Sequence, residues 1–188
     1  MKKIILIGYS KKTTKIDFYL KKNKNLIIHY KKNLNLKKNY KEYDLIVLYG
    51  YRKIISDQFL KKIKSKIINL HISYLPYNRG AHPNFWAWVD KTPQGITIHK
   101  VSKEIDKGDI LFQKKIPIKL KGMTFLKSYK ILRDEMDSFF SKKVIKIINN
   151  DCVIIKKKLK GTYHKKKDLP RNIRGKWKSS VKEYLNLN

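Results

Sequence analysis

Asn69, His71 and Ser73 fall two residues apart in the run NLHISYLP, residues 69–76, and side chains at that spacing on an extended strand share one face. An amide and a titratable ring are thereby aimed at one point. The apolar KII of residues 66–68 reads as a buried strand just ahead of them, and Leu75-Pro76 and Arg79-Gly80 stop it. The polar face therefore sits where a strand ends. A second run, GITIHKVSKEIDKGDIL at residues 95–111, repeats the plan, because strand-like residues 95–101 lead into an acidic loop in which Asp106 precedes Lys107-Gly108. Amide, imidazole and carboxylate from separate segments suit attack on a small carbonyl. Asn69 would donate an N–H to the oxygen that gains negative charge, worth roughly 3–4 kcal/mol when already oriented. His71, with an ordinary pKa of about 6.5, can move a proton near neutral pH. An ionised Asp106 would hold the imidazole and favour its charged form, or accept an amine proton through water. No base is placed for Ser73, so its hydroxyl reads as a turn element and no covalent intermediate is required. Thr97 and His99 read as structural.

The linked pieces Asn69-x-His71-x-Ser73-x-Leu75-Pro76, Arg79-Gly80, Gly95-x-Thr97-x-His99 and Asp106-x-Gly108-Asp109-Ile110 resemble the folate-dependent formyltransferase family. That family includes glycinamide ribonucleotide, methionyl-tRNA and sugar-nucleotide formyltransferases. The resemblance implies a Rossmann-like formyltransferase fold and a 10-formyltetrahydrofolate donor without a metal, with Asn69, His71 and Asp106 as catalytic residues. It also places Tyr51, Arg52, Ile54, Ile55, Val101, Lys103 and Ile105 at the folate pocket. The residues themselves leave Ile54 and Ile55 open to an ordinary core role under a helix.

For the acceptor, residues 77–86 look most like small sugar N-formyltransferases, which act on the primary amine of a nucleotide-linked amino sugar or a nonulosonic acid precursor for surface glycans. By that likeness Arg79, Gly80, Trp86, Tyr163 and His164 contact the acceptor. A glycinamide ribonucleotide-type acceptor is the alternative, but the place of that branch's glycine-rich phosphate loop reads Gly8-Tyr9-Ser10-Lys11-Lys12. Residues 150–188 are too few for the extra domain of methionyl-tRNA enzymes, so tRNA is not the expected substrate. A formyltetrahydrofolate hydrolase and a non-catalytic basic binding protein are the rivals from other classes.

The elements that must position these residues follow from periodicity. Apolar or alternating runs predict strands over residues 3–9, 25–30, 43–49, 66–71, 95–101, 110–118 and 152–155. Helices are expected over 12–22, 57–64, 83–90 and 124–149, the last with Thr124 as N-cap, an end at Asn149-Asn150, and an apolar stripe that is core or dimer surface. Trp86 and Trp88 cannot share one helical face, so one is assigned to core and the other to the acceptor cleft. Residues 31–41, rich in lysine and asparagine, read as a loop with little to pack. Alternating strands and helices argue for an α/β domain, a single doubly wound, mostly parallel sheet with a long C-terminal helix. In such sheets ligands gather at the carboxyl ends of strands, and the fold thus predicts that Asp106 meets His71. The expected division is a catalytic domain over 1–160 and a basic tail over 161–188 that packs on or near the active site or else is solvated.

The chain has 188 residues, 41% hydrophobic and 12% aromatic, which suits one globular domain. Its net charge of +32, from 46 basic and 14 acidic residues, would ordinarily point to nucleic acid. Arginine occurs only at Arg52, Arg79, Arg133, Arg171 and Arg174, so nearly all the charge is lysine, and no recognition helix, zinc-finger spacing or aromatic RNA-binding signature accompanies it. Nucleic acid is therefore not the expected partner, although phosphorylated substrates should be attracted in a salt-dependent way. Cys152 is the sole cysteine, which excludes an intramolecular disulfide, and its surroundings do not resemble a metal site. GxGxxG is absent, which argues against a dinucleotide. The apolar residues 4–7 are too few for a signal segment or membrane span, so a soluble cytoplasmic protein is expected. The oligomeric state stays open, a homodimer among the options.

Overall fold

The sheet is built around residues 4–7, whose side chains are all buried. The computed structural model describes residues 1–21, 23–156 and 160–186. In chain order the elements are β1 (Lys2–Gly8), α1 (Ile16–Leu20), β2 (Leu26–Lys31), β3 (Leu45–Tyr49), α2 (Asp57–Lys62) and β4 (Lys66–His71). There follow β5 (Arg79–Gly80), α3 (Pro83–Val89), β6 (Gly95–Lys100), β7 (Ile110–Lys115), α4 (Phe125–Ile148), β8 (Tyr163–His164) and α5 (Val181–Tyr184). Six strands make one sheet in the order β2-β1-β3-β4-β6-β7. The β1–β2, β1–β3 and β3–β4 pairs are parallel, and β4–β6 and β6–β7 are antiparallel. The expected α/β, mostly parallel architecture is thus present.

A strand's period of two sends alternate side chains to opposite faces, and β1 uses both. Ile4 and Leu6 pack with Leu132, Met136, Phe140 and Val144 of α4. Ile5 and Ile7 pack on the other side with Ile46, Leu48, Ile55 and Phe59. A sheet covered on both faces reads as continuous apolar runs rather than alternation, as the sequence of β1 and β3 does. Thr124 caps α4 by accepting from the Lys127 N–H at 3.1 Å, and Asn149 ends the helix, both as expected.

Several expectations are corrected. The helix placed at 12–22 forms only as α1, because residues 10–13 close a turn, Thr13 N to Ser10 O at 2.8 Å. The buried Asp137 carboxylate also takes the Lys15 N–H at 2.6 Å; position 22 lies outside the described residues. Residues 31–41 do form a loop, but Leu34 and Tyr40 are buried in the core beneath β3. Residues 152–155 form no strand: Ile155 alone bridges to Ile110, and Val153 is 86% exposed, so little apolar burial holds this stretch to the edge of β7. The segment after 160 is packed rather than loose. Leu169, Ile173 and Val181 are buried with Phe85 of α3 and Phe125 of α4 in a third core. Among the described residues no helix is long and apolar enough to cross a membrane.

Phe140 is fully buried in the core between α4 and the sheet. Phe140→Ala should lower the unfolding free energy by about 3–5 kcal/mol, measured by urea denaturation.

Candidate active site

The antiparallel register of β4 against β6 sets Asn69 opposite His99 and His71 opposite Thr97. Asp106 reaches them from the loop between β6 and β7, in the left-handed region at φ 52°. That loop can close only on a glycine, since a Cβ at Gly108 would collide with the Lys100 carbonyl. The Asp106 carboxylate, 10% exposed, then meets groups from three segments. Oδ1 accepts from Asn69 Nδ2 at 3.1 Å, and Oδ2 accepts from the Gly80 N–H at 2.8 Å. His71 Nδ1 stands 3.7 Å from Oδ2 and His99 Nε2 stands 3.4 Å from Oδ1. The sequence-predicted Asn69, His71 and Asp106 are therefore brought together.

Charge is distributed unequally in this cluster. Burial alone would raise the Asp106 carboxyl, but the positive charge that His71 and His99 carry when protonated and the Gly80 N–H favour the anion and hold it below the usual carboxylate range. Burial pushes the His71 imidazole below its ordinary value against the opposing pull of Asp106. The geometry agrees with a neutral ring. Nε2–H of His71 donates to Asn78 O at 3.1 Å, which leaves Nδ1 as the lone-pair nitrogen. The 3.7 Å gap to Asp106 is longer than an N–H···O bond. A basic nitrogen thus lies beside an anion ready to stabilise its conjugate acid.

Gly80 connects this centre to the residues expected to meet an acceptor. β5 pairs in parallel with β8, Arg79 with Tyr163 and Gly80 with His164. The Arg79 N–H donates to Thr162 O at 3.1 Å and the Ala81 N–H to His164 O at 2.9 Å. Gly80 has φ +89°, and a Cβ there would strike the His164 carbonyl. The Trp86 indole stacks on the His164 ring at 3.9 Å and 5°, and His164 Nε2 lies 2.7 Å from Asp90 Oδ2. Arg79, Gly80, Trp86, Tyr163 and His164 are therefore neighbours although far apart in sequence. Both tryptophans are partly buried on the third core, and Trp88 Nε1 donates to Ser128 Oγ at 3.2 Å.

The residues expected at a folate pocket divide. Tyr51 and Val101 pack against the core beneath β3, and Ile55 is buried in it, the core role its sequence left open. Ile54 is 76% and Ile105 38% exposed, and Arg52 and Lys103 face outward. Two cavities, of about 670 and 340 Å3, are not lined by Asn69, His71 or Asp106. Among the described residues no cluster of histidine, cysteine and acidic side chains could hold a metal ion.

Two readings of neighbouring residues stand: Ser73 Oγ donates to Tyr77 O at 2.8 Å as a turn hydroxyl, and Thr97 Oγ1 donates to Ser73 O at 2.7 Å. His99 lies closer to the cluster than its sequence suggested. Read as structural, it is 2% exposed and lies 3.2 Å from Asn69 Nδ2 as well as beside Asp106. The signal was its two-residue spacing from Thr97, which on an antiparallel partner strand faces Asn69. Asn78 and Thr162 were also missed. Asn78, fully buried at φ 55°, takes the Thr162 hydroxyl and offers its carbonyl to His71.

A family model described as formyl transferase matches residues 9–155. The chain belongs to that family. It is 30% identical to the formyltransferase PseJ from Anoxybacillus kamchatkensis, crystallised with UDP-4,6-dideoxy-4-formamido-L-AltNAc and tetrahydrofolate; the structures agree with a TM-score of 0.84 over 97% of each chain. A sugar N-formyltransferase from a Shewanella species shares the fold at TM-score 0.76 and 22% identity, over 89% of this chain and 78% of that one. Over 80 residues the chain is 41% identical to a chicken trifunctional purine biosynthetic protein. Over 78 residues it is 41% identical to a Listeria welshimeri methionyl-tRNA formyltransferase. Each match covers 41% of this chain but only 8% and 25%, respectively, of those relatives.

The state of His71 gives a pH signature. An unfolded histidine takes up a proton below about pH 6.5 that the buried ring refuses, so the unfolded state binds more protons and stability falls as pH drops through that value. His71→Asn should flatten this slope between about pH 7.5 and about pH 5, read from urea midpoints of both proteins.

Proposed function

We propose that this protein transfers the formyl group of 10-formyltetrahydrofolate to the primary amine of a nucleotide-linked amino sugar. The observation that carries the reading is the likeness to PseJ over nearly the whole of both chains, that protein holding a formamido nucleotide sugar and tetrahydrofolate. The buried cluster at the end of β4 supplies chemistry suited to the reaction. The amine nitrogen attacks the formyl carbon, the new N–C bond forms, and the bond from the carbon to folate N10 breaks. One proton must leave the amine and one must reach N10. Neutral His71 takes the first at Nδ1 and returns it to the departing folate nitrogen. Asp106 remains ionised and stabilises the imidazolium between those events. The charged imidazole in turn stabilises the oxyanion, while Asn69 fixes the carboxylate.

On this reading residues 1–160 form the catalytic domain, and residues 161–188 complete its acceptor side. The donor lies along Tyr51, Arg52, Ile54, Ile55, Val101, Lys103 and Ile105. The acceptor lies along Arg79, Gly80, Trp86, Tyr163 and His164. Arg79 and the surrounding lysines attract its phosphates.

Incubation with 10-formyltetrahydrofolate tests the reading. Folate release only with a nucleotide-linked amino sugar is the expected outcome. Release without any amine indicates a hydrolase, release with glycinamide ribonucleotide indicates that acceptor instead, and no release with any acceptor rejects catalysis. Asn69→Ala, His71→Ala and Asp106→Ala should each lower turnover about a hundredfold or more, with unchanged circular dichroism.

A further inference from the structure

Asn78 is fully buried, and its N–H, its carbonyl and both ends of its side-chain amide are engaged. The N–H donates to Thr162 Oγ1 at 2.8 Å, the side-chain oxygen accepts from the same hydroxyl at 3.2 Å, and Nδ2 donates to Thr92 Oγ1 at 2.7 Å. The carbonyl is left for His71 Nε2, at 3.1 Å. A carbonyl oxygen only accepts, so this bond needs a proton on Nε2, which the imidazolium and the Nε2–H neutral ring both carry. Gain of a proton at Nδ1 leaves it intact. A half-turn of the ring would instead bring Cε1 to the carbonyl and Cδ2 to the Asp106 side. The bond therefore decides that Nδ1 faces Asp106, 3.7 Å from Oδ2. The backbone that offers the carbonyl lies in the left-handed region at φ 55°, which few residues other than glycine occupy, asparagine among them. Thr162 anchors it there: besides its hydroxyl on Asn78, its carbonyl accepts the Arg79 N–H at 3.1 Å and Arg79 Nε at 3.3 Å.

We propose that Thr162 is a positioning residue for His71: its hydroxyl holds the Asn78 backbone so that the Asn78 carbonyl grips Nε2–H and keeps Nδ1 turned to the Asp106 carboxylate. This rests on the formyl-transfer reading, in which Nδ1 carries the proton. The dependence runs through one buried residue. Without the hydroxyl the Asn78 N–H and side-chain oxygen both lose a partner inside the protein, where an unsatisfied polar group is costly, and the turn relaxes until they find another. The carbonyl then moves off the ring. A ring free to turn presents its basic nitrogen to the carboxylate for only part of the time, and a proton-transfer group out of line costs rate rather than ground-state binding. His71 on β4 is thereby set by a side chain that lies ninety-one residues further along the chain, and neither Thr162 nor Asn78 is among the residues assigned to the folate.

The test has a readout that does not depend on turnover. In protein labelled with 15N-histidine, with the His71 signals assigned by their loss in His71→Asn, long-range 15N correlation should show a proton on Nε2 at neutral pH that exchanges slowly with water. A bare Nε2 overturns the proposal. Thr162→Val, which keeps the side chain's shape without its hydroxyl, should speed that exchange about tenfold or more. It should also lower kcat roughly ten- to a hundredfold with the KM for folate unchanged. Thr162→Ala removes the same hydroxyl with less bulk and should match it, whereas Thr162→Ser, which retains the hydroxyl, should recover most of both losses. Wild-type exchange or wild-type kcat in the variants without the hydroxyl, or equal losses in Thr162→Ser, overturns it. Should no amine accept a formyl group, the reading of the reaction fails on its own, and the exchange of the Nε2 proton still decides whether Thr162 holds the ring.

Discussion

The site depends on one buried anion. A carboxylate taken from water costs several kcal/mol unless its lone pairs are satisfied, and Asp106 is satisfied by groups that are far apart in sequence: the Asn69 amide and the Gly80 N–H, with the imidazoles of His71 and His99 alongside. They come from β4, β5 and β6. Holding the anion therefore requires β4, β6, the turn at β5 and the loop before β7 to be in place together. The left-handed φ of Asp106 and the glycine at position 108 are the backbone conditions for that convergence.

Much of this was legible. The polar spacing of Asn69 and His71 on a strand that ends at a turn, and the recurrence of that plan before Asp106, anticipated that the three residues meet, because strand periodicity and a loop's return are local properties. Thr124, the stripe of Leu132, Met136, Phe140 and Val144, and the apolar β1 and β3 were readable for the same reason. What escaped was set by register between strands. His99 looked like one more alternating strand residue until β6 paired antiparallel to β4, and no local pattern fixes which residues of two strands stand opposite. Leu34 and Tyr40 escaped differently: two apolar side chains in a polar tract carry no period, yet they fill space under β3. The short β8 could not be read at all, since a two-residue strand exists only by virtue of its partner.

The charge of the chain and the charge of the site are separate matters. The net +32 resides almost wholly in lysines, and where these meet acids they do so at the surface, as in Lys2 with Asp44 or Lys114 with Glu135, pairs that contribute little to stability. At the triad the balance is reversed, with an anion beside a His71 ring that burial disfavours charging. A basic exterior concentrates anionic ligands at long range, whereas burial at the centre decides which of its groups carries charge.

The two levels are joined at Gly80. Its N–H holds Asp106 Oδ2, while the flanking Arg79 and Ala81 N–H groups bond to the β8 segment, and Trp86 lies against His164 of that segment. Arg79, Trp86 and Tyr163 are therefore linked to the same short strand that neutralises the carboxylate. A donor to an anion is strongest when it is short and aligned, so small shifts of β5 alter how much of Asp106's charge is left to stabilise a protonated His71. Packing of the C-terminal segment onto the third core, through Leu169, Ile173 and Val181, keeps β8, and hence β5, in a fixed place. The segment after α4 thus holds in place the strand whose backbone N–H binds the Asp106 carboxylate.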